Sequence, residues 1–538
     1  MRALMERAFR GSFCCFLLLC FLAVSAFPAE NTVRTESGLV AGTGADIRVF
    51  KGIPYAAPPV GELRWKPPQP AAPWPGVRQA TEFGAACMQT GKLPKLSEDC
   101  LTLNIWTPAK DGKAKLPVMF WIHGGAFVTG AGSIYDGEAL ARQGVVVVTI
   151  NYRLGALGFF AHPALAKESP QGSSGNYALL DQITALGWVQ RNIAAFGGNP
   201  KNVTIFGESA GGTSVCLLLV SPLAKGLFHR AIAESAAIAT ALPHTREAWY
   251  GRPPLEQAGE KLGADISKLR AASPEELMKK WNNWENTKAV DGWVVPDDPG
   301  ALFESGRFHR LPVMAGSNAD EGTWFVRNAF TRELGSAKAL AGYRDYLKNQ
   351  FQESAEQAFS LYPVASDSEA EAAAACVMGD TMFHYGTRLV LTAAARRGLK
   401  SYQYYFTRLS PMLAKRGMGV VHAAEIHYVF GALDFGWLDR FLFQMKPDPS
   451  LPEPIEATDR SLAKAMSAAW VRFAKAGNPN GGGLPAWPAV NVKQPQYLEF
   501  GDKIQVGQWD SERRKRMEFW EAHFSRLRAN RRAAASDK

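Results

Sequence analysis

The 538-residue sequence predicts an α/β fold, a large and mostly parallel central sheet flanked by helices, and three observations carry that expectation. Apolar runs of strand length at Pro117 to Ile122, Val145 to Ile150 and Val203 to Phe206 show little polar alternation, as strands covered on both faces by crossover helices do. Glycine-rich turns and helical patterns separate them, the cadence of a parallel sheet. Composition supplies the core: 47% hydrophobic, 11% aromatic and only 20% charged residues exclude a disordered chain. Seven cysteines exclude a disulfide-stapled mini-fold, and 50 glycines without a fixed period exclude a triple helix.

At the N-terminus, Arg2, Arg7 and Arg10 precede an apolar run from Phe13 to Val24, the length of a signal-peptide core and short for a membrane span. Val24-Ser25-Ala26 supplies the small side chains of a cleavage site. Residues 1–26 are therefore expected to be a leader and the mature chain to begin near Phe27, with an uncleaved anchor as the alternative. A lipoprotein site at Cys20 is disfavoured by the bulk of Leu19. Without the leader's three Arg and one Glu, 57 basic residues face 49 acidic ones, a net of +8. That excess suits anionic substrates or surfaces, but no basic cluster interleaved with aromatics points to nucleic acid. The basic end, Arg526 to Arg532 running into Ala and Ser, is expected to be a frayed tail over 525–538.

Further along, Pro54 to Pro75 is proline-rich and expected to be an extended surface wrap. Cys87 and Cys100 enclose a short polar stretch suited to a disulfide in an oxidising compartment, whereas Cys216 and Cys376 read as core thiols. No Cys/His cluster has metal-ligand spacing. A helix is expected from Ala178 to Phe196, where Ile183, Leu186, Val189, Ile193 and Phe196 recur at three- and four-residue steps before Gly197-Gly198-Asn199-Pro200 stops them. Leu311 to Gly316 and Tyr402 to Phe406 read as strands, residues 335–400 as a helical insertion, and Ser461 to Ala476 as an amphipathic helix ending at Gly477-Asn478-Pro479.

The chemistry concentrates at Thr204-Ile205-Phe206-Gly207-Glu208-Ser209-Ala210-Gly211-Gly212. Among 50 glycines a chance G-x-S-x-G is not rare, but a strand before it and a helix after it make this one a nucleophile elbow. The turn crowds the backbone around Ser209, so positions 207 and 211 admit only very small residues. Upstream, Trp121-Ile122-His123-Gly124-Gly125-Ala126-Phe127 matches an oxyanion loop, whose backbone N–H groups, with that of Ala210, would hold a tetrahedral oxyanion. The base and acid should follow the serine in the order Asp or Glu, then His. His422, in the loop after the strand-like Tyr402 to Phe406, is the best base, since His229 comes too soon and His523 too near the end. Asp320 and Glu321 share the loop after Leu311 to Gly316, and the residues alone leave them even.

Several stretches together resemble the type-B carboxylesterases, the branch with cholinesterases, para-nitrobenzyl esterases, bile-salt lipases and neuroligins. They are Phe50-Lys51-Gly52-Ile53-Pro54-Tyr55, Ser97 to Trp106, Phe206 to Gly212, Gly175-Asn176 with Asp181-Gln182, Asp320-Glu321-Gly322, and His422-Ala423-Ala424-Glu425-Ile426. The resemblance spans about residues 32 to 524 and implies an α/β-hydrolase fold, one domain over 27–524. It implies Ser209 as nucleophile, Glu321 rather than Asp320 as acid, His422 as base, and Gly125, Ala126 and Ala210 as oxyanion donors. It also implies a Cys87–Cys100 disulfide, an Arg64–Glu98 ion pair, and in Glu208 a carboxylate near the imidazole, where the bland reading is a helix-entry charge.

Two departures from cholinesterases are informative. No aromatic residue lies between Cys87 and Cys100, where those enzymes keep a choline-binding Trp, so choline esters are not expected substrates. Ala126 stands where they have a third glycine, and its methyl would narrow the acyl side. The expected activity is hydrolysis of small-molecule carboxylic esters without metal or cofactor, by a secreted or periplasmic monomer or homodimer. A specialised hydrolase of one bulky natural ester is the nearest alternative. A non-catalytic, neuroligin-like binder is disfavoured because Ser209, Glu321 and His422 are all present.

Overall fold

The computed structural model describes residues 31–91, 93–248, 253–280, 287–329, 340–433 and 455–536; the expected leader lies outside the described residues. Its main sheet has ten strands: β1 (Arg48–Pro54), β2 (Thr102–Thr107), β3 (Leu116–Ile122), β4 (Val146–Ile150), β5 (Gly198–Glu208), β6 (Arg230–Glu234), β7 (Val313–Asn318), β8 (Ser401–Phe406), β9 (Gln496–Phe500) and β10 (Ile504–Gln508). Their order is β10-β9-β8-β7-β6-β5-β3-β4-β2-β1. The central pairs from β4 through β3, β5, β6, β7 and β8 to β9 are parallel, and the edge pairs β9–β10, β4–β2 and β2–β1 are antiparallel.

Period-two side-chain direction explains the unbroken apolar runs. In β3, Val118, Phe120 and Ile122 enter one core while Met119 and Trp121 enter another on the opposite face. In β7, Val313 and Ala315 divide from Met314 in the same way. The first face is covered by α1 (Tyr177–Asn192) and α2 (Ala210–Val220), the second by α5 (Ala457–Ala476). Fully burying each such side chain contributes about 1.5–3 kcal/mol, so neither face tolerates a polar strand residue without a partner.

The remaining helices used below are α3 (Asp367–Gly379), α4 (Tyr385–Arg396) and α6 (Ser511–Ser536). Helix α1 gives way to a 3₁₀ turn at Ile193–Phe196, and Gly197 at φ +82° ends it. Strand β5 is longer than its apolar run because Gly198 already pairs with Leu116, ahead of an irregularity that precedes Val203. The Pro54 to Pro75 segment is more than a surface wrap: it drops Tyr55 and Trp65 into the core.

Two expectations are corrected. The basic end is helical to Ser536 rather than frayed. Met517, Trp520 and Phe524 recur at helical spacing and are buried, and Arg528, itself buried, pairs with Glu304 and donates to Tyr385 Oη at 3.0 Å. Cys376 is not a core thiol. It lies exposed on α3 with Arg516 Nη1 3.1 Å from its sulfur, whereas Cys216 is buried in α2. Cys87 and Cys100 form a disulfide. Arg64 grips Glu98 through two hydrogen bonds of 2.8 and 2.5 Å and donates to the carbonyls of Leu269, Arg270 and Ala272.

Candidate active site

Register brings the carboxyl ends of the central strands to one edge: Ile122 faces Gly207, Glu208 faces Glu234, Glu234 faces Gly316, and Asn318 faces Phe406. The residues that follow, His123 to Phe127, Ser209, Ser235, Glu321 and the loop bearing His422, therefore converge outside those ends, where open α/β sheets hold their sites.

Ser209 turns the chain from β5 into α2 at φ +58°, ψ −118°. A non-glycine residue so placed carries roughly 1–3 kcal/mol of strain unless its surroundings hold it. They do: Ser209 N–H donates to Glu234 O at 2.9 Å, and Thr213 N–H to Ser209 O at 2.8 Å. The flanking glycines are required by a neighbour that only the fold supplies. A Cβ on Gly207 would lie 2.6 Å from Ile122 O, and one on Gly211 would land on that same oxygen. On Gly124 it would meet Glu208 Oε2 at 2.9 Å and Ser209 Cβ at 3.2 Å, so the upstream glycine loop lies directly against the elbow.

In that loop Gly125 has φ +100°, Ala126 φ +54° and Phe127 φ +64°. The run of left-handed residues is tied back by Val128 and Thr129 N–H groups donating to Gly125 O at 2.9 and 3.0 Å. Among the described residues nothing accepts from the N–H groups of Gly125 or Ala126. Beneath the loop, buried His123 stacks on Tyr152 at 4.3 Å, and Tyr152 Oη donates to His123 O at 2.7 Å. Burial pushes the His123 imidazole down to about 4, so it stays neutral.

His422 Nδ1 lies 2.6 Å from Glu321 Oε2, and both side chains are buried. The other Glu321 oxygen accepts from Ser235 Oγ at 2.5 Å and from Asn318 N–H at 2.7 Å. Asp320 has a different task. It accepts from Val420 N–H at 2.7 Å and donates its own N–H to Val420 O at 3.0 Å, pinning the loop that carries His422. Phe325 and Phe383 enclose the imidazole, with centroids 5.0 and 4.5 Å away. Both project from π-helical segments, Phe325–Ala329 and Asp380–His384, a distortion often found at functional sites.

The ring's other nitrogen, Nε2, is 3.1 Å from Glu208 Oε1, off hydrogen-bond alignment, and makes no hydrogen bond among the described residues. Glu208, Glu321 and Glu425 are buried around this one imidazole, and buried Glu234 adjoins Glu208 and Glu425. Burial works to lower His422, but Glu208 and Glu321 more than offset it and hold the imidazole up at about 9. Burial pushes Glu208 far above the carboxylate range even though His422 pulls it back. Burial and then Glu321 push Glu425 up to about 7, against the Asn318 amide donating to it at 2.6 Å. Glu234, raised by burial, accepts from Trp470 Nε1 at 2.8 Å. Burial thus favours the neutral forms of Glu208, Glu234 and Glu425.

Ser209, Glu208, Glu321, His422, Gly125, Ala126 and Ala210 all come together at this edge, while His229 and His523 lie elsewhere, bonded to Val203 N–H and Ser354 Oγ. Sequence reasoning missed Ser235, Asn318 and Glu425 as supports. Ser235 follows β6, the neighbour of the elbow strand, Asn318 ends β7, one strand further out, and Glu425 lies three positions after His422. The motifs at 175–182 turn out to be braces: Asp181 binds buried Arg153 at 2.8 and 2.7 Å, Gln182 reaches Ser214 on α2 at 3.0 Å, and Asn176 grips Ala289. Among the described residues no cluster of His, Cys, Asp or Glu is arranged to hold a metal ion, and no helix is long and apolar enough to cross a membrane.

Residues 29–520 match the model of the carboxylesterase family. The chain is 42% identical over 494 residues to fumonisin B1 esterase of Sphingopyxis macrogoltabida, covering 88% of this chain and 87% of that one. It is 38% identical over 533 residues to carboxylesterase 5A of Canis lupus familiaris, covering 91% and 87%. Among solved structures it is similar to the Geobacillus stearothermophilus carboxylesterase EST55, with TM-score 0.76, 34% identity, and coverage of 91% of this chain and all of that one, 100%. A thermophilic PNB esterase gives TM-score 0.76 at 32% identity, with the same coverage.

Proposed function

The chain belongs to the carboxylesterase family and is a carboxylic ester hydrolase of α/β-hydrolase fold, and on that premise we propose that Ser209, His422 and Glu321 carry out a two-step acyl transfer. The observation that carries this reading is the 2.6 Å contact of His422 with Glu321 beside a serine held in a strained elbow.

His422 Nε2, which has no hydrogen-bond partner among the described residues, takes the Ser209 Oγ proton as the oxygen attacks the ester carbonyl. Such a contact is commonly formed only once substrate is bound. The N–H groups of Gly125, Ala126 and Ala210 receive the oxyanion, and the loop's left-handed turn supports the first two in that role. The imidazolium then gives its proton to the leaving alcohol, and water repeats the cycle on the acyl-enzyme. Glu321 fixes the tautomer, its second oxygen being occupied by Ser235 and Asn318. Glu208 stabilises the imidazolium.

The test is hydrolysis of short and medium para-nitrophenyl esters by the chain from Phe27 onward. Ser209→Ala should lower kcat about 10⁴- to 10⁶-fold. Turnover persisting in that variant sinks the assignment. A second reading, specificity for one bulky natural ester, is favoured by the 42% identity to an esterase named for fumonisin B1. It predicts a kcat/KM for such an ester well above that for simple esters. Choline esters should be poor substrates, the Cys87–Cys100 loop having no aromatic residue to face a quaternary ammonium. The leader-like residues 1–26 and the disulfide support export to a periplasmic or extracellular compartment. Sedimentation would test the expected monomer or homodimer.

A further inference from the structure

Lys288 lies against the loop proposed to hold the oxyanion. Its ammonium lies 5.3 Å from the centroid of the Phe127 ring, and Phe127 directly follows Ala126 in the proposed oxyanion loop. Phe127 is fixed there: its carbonyl accepts from Gly155 N–H at 2.8 Å and its ring packs edge-on against Phe159 at 5.2 Å. Lys288 makes no hydrogen bond or ion pair with any described residue. The backbone that carries it is tightly held. Asn176, one of the motif residues that the acyl-transfer chemistry leaves unused, accepts from Ala289 N–H at 3.1 Å and donates to Ala289 O at 2.8 Å. One residue on, Val290 is bound by Pro243 O at 2.8 Å and Thr245 N–H at 3.1 Å. Asp291, three positions on, is engaged elsewhere, receiving Trp293 and Val295 N–H groups and Ser173 Oγ.

The side chain is only partly exposed, yet burial alone pushes its ammonium down to about 8. The ammonium therefore meets the Phe127 ring on one side and keeps some solvent contact. An aromatic face offsets part of an ammonium's lost hydration but fills none of its three N–H donors. What completes such a group is an anion, and a carboxylate is the anion that an ester substrate can bring.

We propose that Lys288 selects esters that carry a free carboxylate near the scissile bond, the ammonium binding that carboxylate beside the oxyanion loop. The inference rests on the acyl-transfer reading above and adds the substrate's charge to it. It agrees in sign with the net basic charge of the chain.

The test compares mono-4-nitrophenyl glutarate, anionic on the acyl side, with neutral 4-nitrophenyl pentanoate, and adds the butyrate of 3-carboxy-4-nitrophenol as a probe anionic on the alcohol side. The readout is the ratio of kcat/KM for an anionic ester to that for its neutral counterpart. Lys288→Met and Lys288→Gln should lower this ratio at least tenfold for one anionic probe, mainly through KM, and Lys288→Arg should recover most of it. The probe that responds tells which side of the ester the carboxylate occupies. A ratio within twofold of the original for both probes, in whichever of the two neutral variants folds, overturns the proposal while leaving the hydrolase reading intact. Failure of the unmodified chain to cleave any of the three esters would instead sink the acyl-transfer reading on which it rests.

Discussion

Replacing Glu208 by Gln tests the electrostatics of the site most directly, since it keeps the side chain's volume and removes its charge. Glu208 Oε1 is 3.1 Å from His422 Nε2, with both side chains 4% exposed. At an effective dielectric of about 20, two full unit charges at that separation attract by roughly 5 kcal/mol. That figure is an upper bound, because burial raises the pKa of Glu208 itself and so opposes its charged form. A nearby carboxylate ordinarily shifts its partner by about 1–3 pKa units, at about 1.4 kcal/mol each. The sign is fixed: Glu208 is among the groups that hold His422 up, at about 9, so removing it lowers the imidazole. The acid limb of kcat/KM against pH, set by the need for a neutral imidazole, should therefore move down by about 1–3 units. On the plateau above it the variant should be slower by about tenfold or more, each 1.4 kcal/mol of lost imidazolium stabilisation costing that factor. Pentanoate ester hydrolysis followed by alkali uptake from pH 5 to 10 reads both effects. An acid limb that stays in place or moves up would refute the reasoning.

Ser235→Ala removes a 2.5 Å hydrogen bond to a buried carboxylate and leaves Asn318 N–H as the other donor to that oxygen. Hydrogen bonds to charged groups contribute about 1.5–3 kcal/mol, so urea denaturation should show a loss of that order with a lower kcat, and an unchanged midpoint would count against Ser235 as a support of Glu321. Replacing both Cys87 and Cys100 by Ser, 13 positions apart, should cost about 2–3 kcal/mol by the chain-entropy argument. The unmodified protein in reductant should melt at the same lowered temperature, and a melting point indifferent to both treatments would contradict the stabilising role.

Much of this molecule is legible in local pattern. The strand runs, the helix expected from Ala178 and the glycines around Ser209 follow from residue types and short spacings, because a strand's two faces and a turn's steric limits act within a few residues. The G-x-S-x-G pattern calls for small residues at 207 and 211, but the oxygen of Ile122 that enforces it sits on another strand, 85 positions before Gly207. Asp320 and Glu321 are equivalent in the residues alone, and in three dimensions one pins the Val420 loop while the other binds His422. Composition makes the end of the chain a basic tail, yet a buried stripe of Met517, Trp520 and Phe524 and the pairing of Arg528 with Glu304 keep it helical. The burial that raises Glu208 and Glu425, and the carboxylates that raise His422, likewise belong to the tertiary structure. A side chain's charge, partner and desolvation are set by groups that packing brings beside it from distant parts of the chain, and no local pattern carries that information.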